Sequence, residues 1–234
     1  MVRVSLGAPR DGWLPWERFL DAGNGTQAGR LGDGTDAPVL LCYTSGSTGL
    51  PKGVVLAQDA LFHNAVNSTH MHDLSSADVV LTTLPLFHVG GLNIQTLPAL
   101  HAGATVVLHP RFEPPQVIDA LEREGITLTV LVPAQLELLA REPRWRHADL
   151  SRLRSITTGS TIIGEGFVRK NLHRDVPLMQ VYGSTETCPI AAYQRRDDAP
   201  RHPGSIGKPA LHCELRLVDE QGHEVAAGET GELW

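Results

Sequence analysis

The stretch Tyr43-Thr44-Ser45-Gly46-Ser47-Thr48-Gly49-Leu50-Pro51-Lys52-Gly53 directly follows the apolar run Val39-Leu40-Leu41-Cys42. Thr44, Ser45, Ser47 and Thr48 supply hydroxyls, and Gly46 and Gly49 let backbone N–H groups come close to an anion. Lys52 adds a full positive charge, which completes the chemistry a polyphosphate needs. The alternative is a flexible Gly/Ser/Thr linker. A linker has no need of an apolar strand before it and a Pro-Lys-Gly closure after it, so the stretch is read as a phosphate-binding loop. It is not a Walker A loop, in which Gly immediately precedes the lysine and Ser or Thr follows. Here Pro51 precedes Lys52 and Gly53 follows.

Working outward, short β-like runs alternate with amphipathic helical patterns. Strands are expected at 39–43, 79–83, 105–108, 128–132, 155–158, 178–182 and 214–218. Helices are expected at 59–70, 92–100, 114–124, 133–141 and 165–173. Val117, Ala120 and Leu121 show helical spacing, with Pro114-Pro115 at the entry and Gly125 past the exit. Such alternation predicts an α/β fold with a mostly parallel sheet flanked by helices. Asp219-Glu220-Gln221-Gly222 reads as a hairpin turn. Residues 1–36 form a lead-in that ends in a Gly/Asp/Asn-rich linker. Trp13, Trp16 and Phe19, before that linker, are expected to pack a short helix onto the body, and the domain proper spans 37–234.

The composition narrows the function. Of 234 residues 41% are apolar, enough for a real core. The 26 acids against 20 bases leave a net charge of -6, which argues against nucleic-acid binding. The arginines at 141, 144, 146, 152 and 154 read as a solvated surface. Cys42, Cys188 and Cys213 have neither metal-ligand spacing nor an even count for a disulfide framework, which points to a cytoplasmic setting. Cys42 is read as a small core hydrophobe. The N-terminus lacks the apolar stretch of a signal peptide, and no apolar run has transmembrane length. His70 and His72 are expected at the surface rather than on a metal.

A second chemical segment, Tyr182-Gly183-Ser184-Thr185-Glu186-Thr187, also stands at a strand end. It offers an aromatic face for a base, a hydroxyl for a phosphate and a hard oxygen for Mg2+. By itself it would also suit a capped turn.

Taken with LPLFHVGGL (84–92) and GETGELW (228–234), these segments occur in the order of the signature series of the adenylate-forming superfamily. The chain resembles its acyl-CoA synthetases over roughly 37–234, as part of their large N-terminal domain. The resemblance implies that a carboxylate attacks the α-phosphorus of ATP, releasing pyrophosphate. The thiol of CoA then displaces AMP from the acyl-adenylate. It implies ATP/AMP and Mg2+ as cofactors, CoA as co-substrate and a small carboxylic acid as substrate.

By the same resemblance Thr44, Ser45, Gly46, Ser47, Thr48, Gly49 and Lys52 would hold the β- and γ-phosphates. Tyr182 and Gly183 would lie against adenine, Thr185 would bond the α-phosphate and Glu186 would bind Mg2+. Gly159, Ser160 and Thr161 would pass close to adenine and the acyl group, and His88 would stand near the reacting carboxylate and the thiol tunnel. Without that context His88 reads as a histidine packed in an apolar loop.

Several positions depart from the pattern. Ser160-Thr161 stands where Gly-Ala is usual, and Gln58-Asp59 where Thr-His or Ser-His is common. Val181 replaces a frequent glycine, which is expected to narrow the acyl tunnel. Family members run to about twice this length, so the chain is expected to be a truncated core lacking the C-terminal domain and inactive alone, with possible self-association. A catalytically incompetent binding module and an adenylation domain loading a carrier protein remain the alternatives, and fatty, aryl and dicarboxylic acids all stay open.

Overall fold

The computed structural model describes residues 4–5, 8, 10–23, 34–45, 49–171 and 176–234. The chain divides into two units, Met1–Gly34 and Thr35–Trp234. In the first, β1 (Val4–Ser5) pairs in parallel with β2 (Leu14–Pro15), and α1 (Trp16–Gly23) follows. Trp16 and Phe19 stack at 5.7 Å on this short helix. The Gly-rich linker expected before residue 35 lies mostly outside the described residues.

The second unit is built on a seven-stranded sheet. Its parallel strands are β5 (Val79–Thr82), β6 (Thr105–Leu108), β7 (Leu128–Val130), β8 (Ser155–Thr158) and β9 (Leu178–Tyr182). Two short antiparallel strands, β10 (Ala192–Tyr193) and β11 (Lys208–Pro209), extend one edge, giving the order β11-β10-β9-β8-β7-β5-β6. Side chains alternate across the pleat, so neighbouring residues feed different cores. Leu81 and Leu178 join Val117, Leu121, Leu136 and Val168, on helices α5 (Pro114–Arg123), α6 (Pro133–Arg141) and α7 (Glu165–Asn171). Met179 and Val130 pack instead with Met71 of α2 (Gln58–His72) and Ile94, while Val80 packs with Ala99 of α4 (Leu97–His101). Helices thus cover both faces, as a parallel sheet requires.

Three expectations are corrected. Residues 39–43 do not join the parallel sheet. They belong to β3 (Pro38–Thr44), which forms a separate antiparallel hairpin with β4 (Lys52–Ala57), Thr44 opposite Lys52. Its inner face buries Cys42 and Leu56 against Val89 and Cys188. Its outer face leaves Leu41, Tyr43 and Val55 more than half exposed, so the apolar run is not a core strand throughout. Cys42 itself is the buried hydrophobe expected.

The helix expected at 92–100 starts instead as the short helix α3 (Val89–Gly91), widens into a π-helical turn over Leu92–Thr96, and becomes α4. π turns of this kind collect at functional sites. The strand expected at 214–218 shortens to β12 (Leu217–Val218), which pairs with β13 (Glu232–Leu233). The turn at 219–222 is present, with the Gly222 amide donating to Asp219 O at 3.0 Å.

His72 also departs from expectation, being buried rather than exposed. Its Nδ1–H donates to Ser68 O at 2.8 Å, and its Nε2 accepts from Thr157 Oγ1 at 2.9 Å. Burial pushes its pKa down to about 4, so the ring is neutral. His70 meets the Tyr193 hydroxyl at 2.6 Å. Arg154 is likewise no free surface charge, since it pairs with the buried Asp78 at 2.8 Å.

Candidate active site

In an open parallel sheet the carboxyl ends of the strands frame the ligand crevice, because the following loops and helix N-termini converge there. At that edge β8 ends in Gly159-Ser160-Thr161 and β9 in Tyr182-Gly183. Each loop carries a glycine pressed against neighbouring backbone. A Cβ on Gly159 would lie 2.5 Å from Val181 O, and one on Gly183 would overlap Pro189 O. Ser160 takes a left-handed φ of 71°, a conformation that costs a non-glycine residue on the order of 1–2 kcal/mol. Glycine, the residue usual there, would adopt it freely.

After Gly183 the chain folds into a 3₁₀ turn, Thr185–Thr187, locked by its own side chains. Thr187 Oγ1 accepts the Ser184 amide at 2.9 Å and donates to Pro189 O at 2.8 Å. The turn presents Glu186 to solvent. Its carboxyl is held below the ordinary range first by its own backbone amide, then by the Ser184 hydroxyl, and also by the charge of Lys52. Lys52 opens β4, which is in contact with this turn. The hairpin thereby brings Lys52 close to this turn. Gly46, Ser47 and Thr48 lie outside the described residues, while Thr44, Ser45, Gly49 and Lys52 are described.

A cavity of about 600 Å³ opens between these pieces. His88, Gly90, Ile94 and Val181 line it, and Ser184 and Thr185 form its polar end. His88 is exposed at the N-terminal end of α3, not packed in an apolar loop. A neighbouring cavity of about 820 Å³ is lined by Thr161, Ile162, Tyr182 and Ile206, among others, with Ser160, Val181 and Gly183 shared between the two. Tyr182 is 42% exposed, leaving a ring face available. The structure therefore brings His88, Ser160, Thr161, Tyr182, Gly183 and Thr185 to two adjoining cavities, with Gly159 against Val181 and with Glu186 and Lys52 on the neighbouring turn and strand.

Some residues that build this arrangement were not anticipated. Asn64 on α2 accepts the Ile190 amide at 3.2 Å and donates to Asn93 O at 2.7 Å. Asn93 in turn donates to Cys188 O at 3.3 Å, so two buried amides fix the segment that follows Glu186. Polar residues inside an otherwise apolar helical pattern were the available signal. Among the described residues no cluster of three or more His, Cys, Asp and Glu is arranged to hold a metal. Glu186 is an accessible carboxylate held below the ordinary range, and a single carboxylate plus phosphate oxygens is a common Mg2+ environment.

The fold and crevice define an α/β domain that gathers phosphate-type and apolar surfaces at one sheet edge. The chain belongs to the AMP-binding enzyme family, whose match covers residues 9–234. It is 57% identical over 230 residues to an indoleacetate–CoA ligase of Aromatoleum aromaticum, covering 98% of this chain and 45% of that protein. A feruloyl-CoA synthase of Amycolatopsis sp is 40% identical over 200 residues, 86% of this chain and 41% of its own length.

Among solved structures, the inhibitor-bound N-terminal domain of FACL13 from Mycobacterium tuberculosis superposes with a TM-score of 0.82 at 26% identity. The match covers 94% of this chain and 56% of that one. The o-succinylbenzoate CoA synthetase MenE of Bacillus subtilis, solved with ATP and magnesium, gives 0.75 at 32% identity, over 86% of this chain and 41% of its own. The fold is that of the N-terminal domain of acyl-CoA synthetase-like enzymes, and the chain spans less than half the length of these curated relatives.

Proposed function

We propose that the complete polypeptide carrying these residues is an ATP-dependent carboxylate–CoA ligase that works in the cytoplasm. Residues 37–234 form the central part of its AMP-binding domain, and 1–36 its lead-in. The observation that carries the reading is one cavity lined by His88, Ser184 and Thr185, beside a turn whose Glu186 carboxyl is held below the ordinary range and feels the charge of Lys52. The acid's carboxylate oxygen attacks the α-phosphorus and the bond to pyrophosphate breaks. The thiol sulfur then attacks the acyl carbon and AMP leaves. Two steps are needed because an oxide is a very poor leaving group and AMP is a good one.

The protein's work is positioning and charge neutralisation. Lys52 and the hydroxyls and amides of Thr44, Ser45, Gly46, Ser47, Thr48 and Gly49 hold the β- and γ-phosphates. Thr185 donates to the α-phosphate, where charge builds up. Tyr182 stacks on adenine beside the Gly159-Ser160-Thr161 backbone. Glu186 would hold Mg2+, which supplies charge neutralisation on the phosphates when bound. His88 stands beside the reacting carboxylate.

The acid occupies the 600 Å³ cavity. No lysine or arginine among the described residues lines it, so a second carboxylate there would be buried unpaired, which disfavours dicarboxylic acids. The named relatives act on indoleacetate and ferulate, which supports an aromatic acid. The test is product analysis with an aromatic acid and CoA. AMP and pyrophosphate in equal amounts, formed only with the acid present, are expected. ADP and phosphate, or acid-independent turnover, would refute the reading.

A further inference from the structure

Gln95 is 2% exposed, yet neither end of its side-chain amide has a hydrogen-bond partner. A buried amide without a partner is rare in a native interior and calls for an explanation. Two hydroxyls that line the same gap are bonded elsewhere. Thr82 and Thr96 bond each other at 2.8 Å, and Thr96 Oγ1 also donates to Gly91 O at 2.6 Å. The amide lines a narrow gap at the carboxyl ends of β5 and β7, bounded by Thr83, Leu84 and Val130.

Gly90 lines both that gap and the larger cavity. Its missing side chain is not demanded by the fold. A Cβ there would meet nothing within 4 Å, and its φ is not left-handed. The next residue, Gly91, behaves oppositely, because a Cβ there would run into Pro85 O. Packing therefore explains Gly91 and leaves the space beside Gly90 open. The π turn sets Ile94 on the large cavity and the adjacent Gln95 on the gap, so one widened turn supplies an apolar wall and a polar end.

We propose that Gln95 is the specificity-determining group at the blind end of the acid pocket. It accepts a hydrogen bond from a donor on the ring of a flat aromatic acid, an N–H or an O–H, that reaches it past Gly90. This rests on the carboxylate-activating reading above. A site built to pair with a donor discriminates strongly against a substrate of the same shape that lacks one, because the amide is then left buried and unpaired. The competing occupant of the gap is one ordered water, which would serve every acid equally.

The test compares indole-3-acetate with 1-naphthylacetate, of similar size and without a donor, and with 1-methylindole-3-acetate. The readout is acid-dependent ATP–pyrophosphate exchange by the complete polypeptide, with acid binding followed by calorimetry. The native protein is expected to favour indole-3-acetate over both analogues at least tenfold in kcat/KM. In Gln95→Met, which keeps the length and removes the amide, that ratio falls to within about twofold of one. Equal treatment of the three acids by the native protein overturns the proposal, and so does a preference that survives in Gln95→Met. The comparison within the native protein decides the matter even where the variant fails to fold. Absence of exchange with every acid would instead overturn the underlying ligase reading.

Discussion

Lys52, at the start of the β4 strand, and Glu186, on the turn beyond β9, are near enough that the lysine's charge helps keep the glutamate ionised. The glutamate's own amide and the Ser184 hydroxyl contribute more, so the carboxylate is stabilised by its turn and only adjusted by the lysine. The β4 strand of the separate hairpin is also in contact with the Thr185–Thr187 turn, so two segments far apart in sequence meet beside the proposed site.

That turn depends on Gly183. Pro189 O occupies the space a side chain would need, and Thr187 Oγ1 would lie 2.8 Å from the added carbon. Both neighbours are fixed, one being backbone and the other bonded on two sides. Gly183→Ala is expected to destabilise the fold by roughly 1–3 kcal/mol, the usual range for overpacking. A urea midpoint unchanged from the native chain would show that the turn can relax.

Val181 stands between the two cavities with 7% of its surface exposed. Its Cγ1 would lie 3.0 Å from a Cβ on Gly159. Val181→Gly is expected to widen the proposed acid site and shift preference towards bulkier acids by about tenfold in kcat/KM, in keeping with one to a few methylene groups. A panel of acids of graded width checks it, and an unchanged order of preference would contradict it.

His72 predicts a pH dependence of stability. Its pKa falls from 6.5 to about 4 on folding, chiefly because burial disfavours the charged ring. Between those values the unfolded chain binds more protons than the folded one, so acid favours unfolding. The contribution is complete above about pH 6.5 and is lost as pH falls towards 4. The slope approaches about 1.4 kcal/mol per pH unit within that window. Asp78 adds to the loss at lower pH. Burial works against its ionised form, but bonds from Thr127, the Ser75 amide and Arg154 outweigh it and keep its carboxyl below the ordinary range. Urea unfolding at pH 7 and pH 5, for the native chain and His72→Gln, measures this. The variant should show a shallower loss, and equal slopes would contradict the assignment.

Much of the fold was legible because the parallel strands read as short runs rich in apolar or β-branched residues between helical patterns. The strands at 105–108, 155–158 and 178–182 and the helix at 133–141 are where the pattern put them. The hairpin was missed for a local reason. The β4 strand opens with Lys52-Gly53, residues that read as the end of a loop, so its pairing with Val39–Tyr43 had no signal in a window of residues. The buried polar set was equally hidden. Asn64, Asn93 and His72 look like surface residues on a weakly amphipathic helix or a contradiction in an apolar one. Their partners, Ile190, Cys188 and Thr157, come from distant segments. At the site, residue types and order pointed to the crevice, whereas the open space beside Gly90 and the unpaired amide of Gln95 exist only in three dimensions.

The most direct measurement of the central claim is carboxylate-dependent ATP–pyrophosphate exchange by the complete polypeptide, with Lys52→Ala and Glu186→Ala alongside. Exchange that requires an aromatic acid and falls about 100-fold or more in each variant is the predicted result, in the range for removing a preorganised charge from a reacting phosphate. No exchange with any acid, in a folded protein that still binds ATP, or full exchange in both variants, would contradict the account.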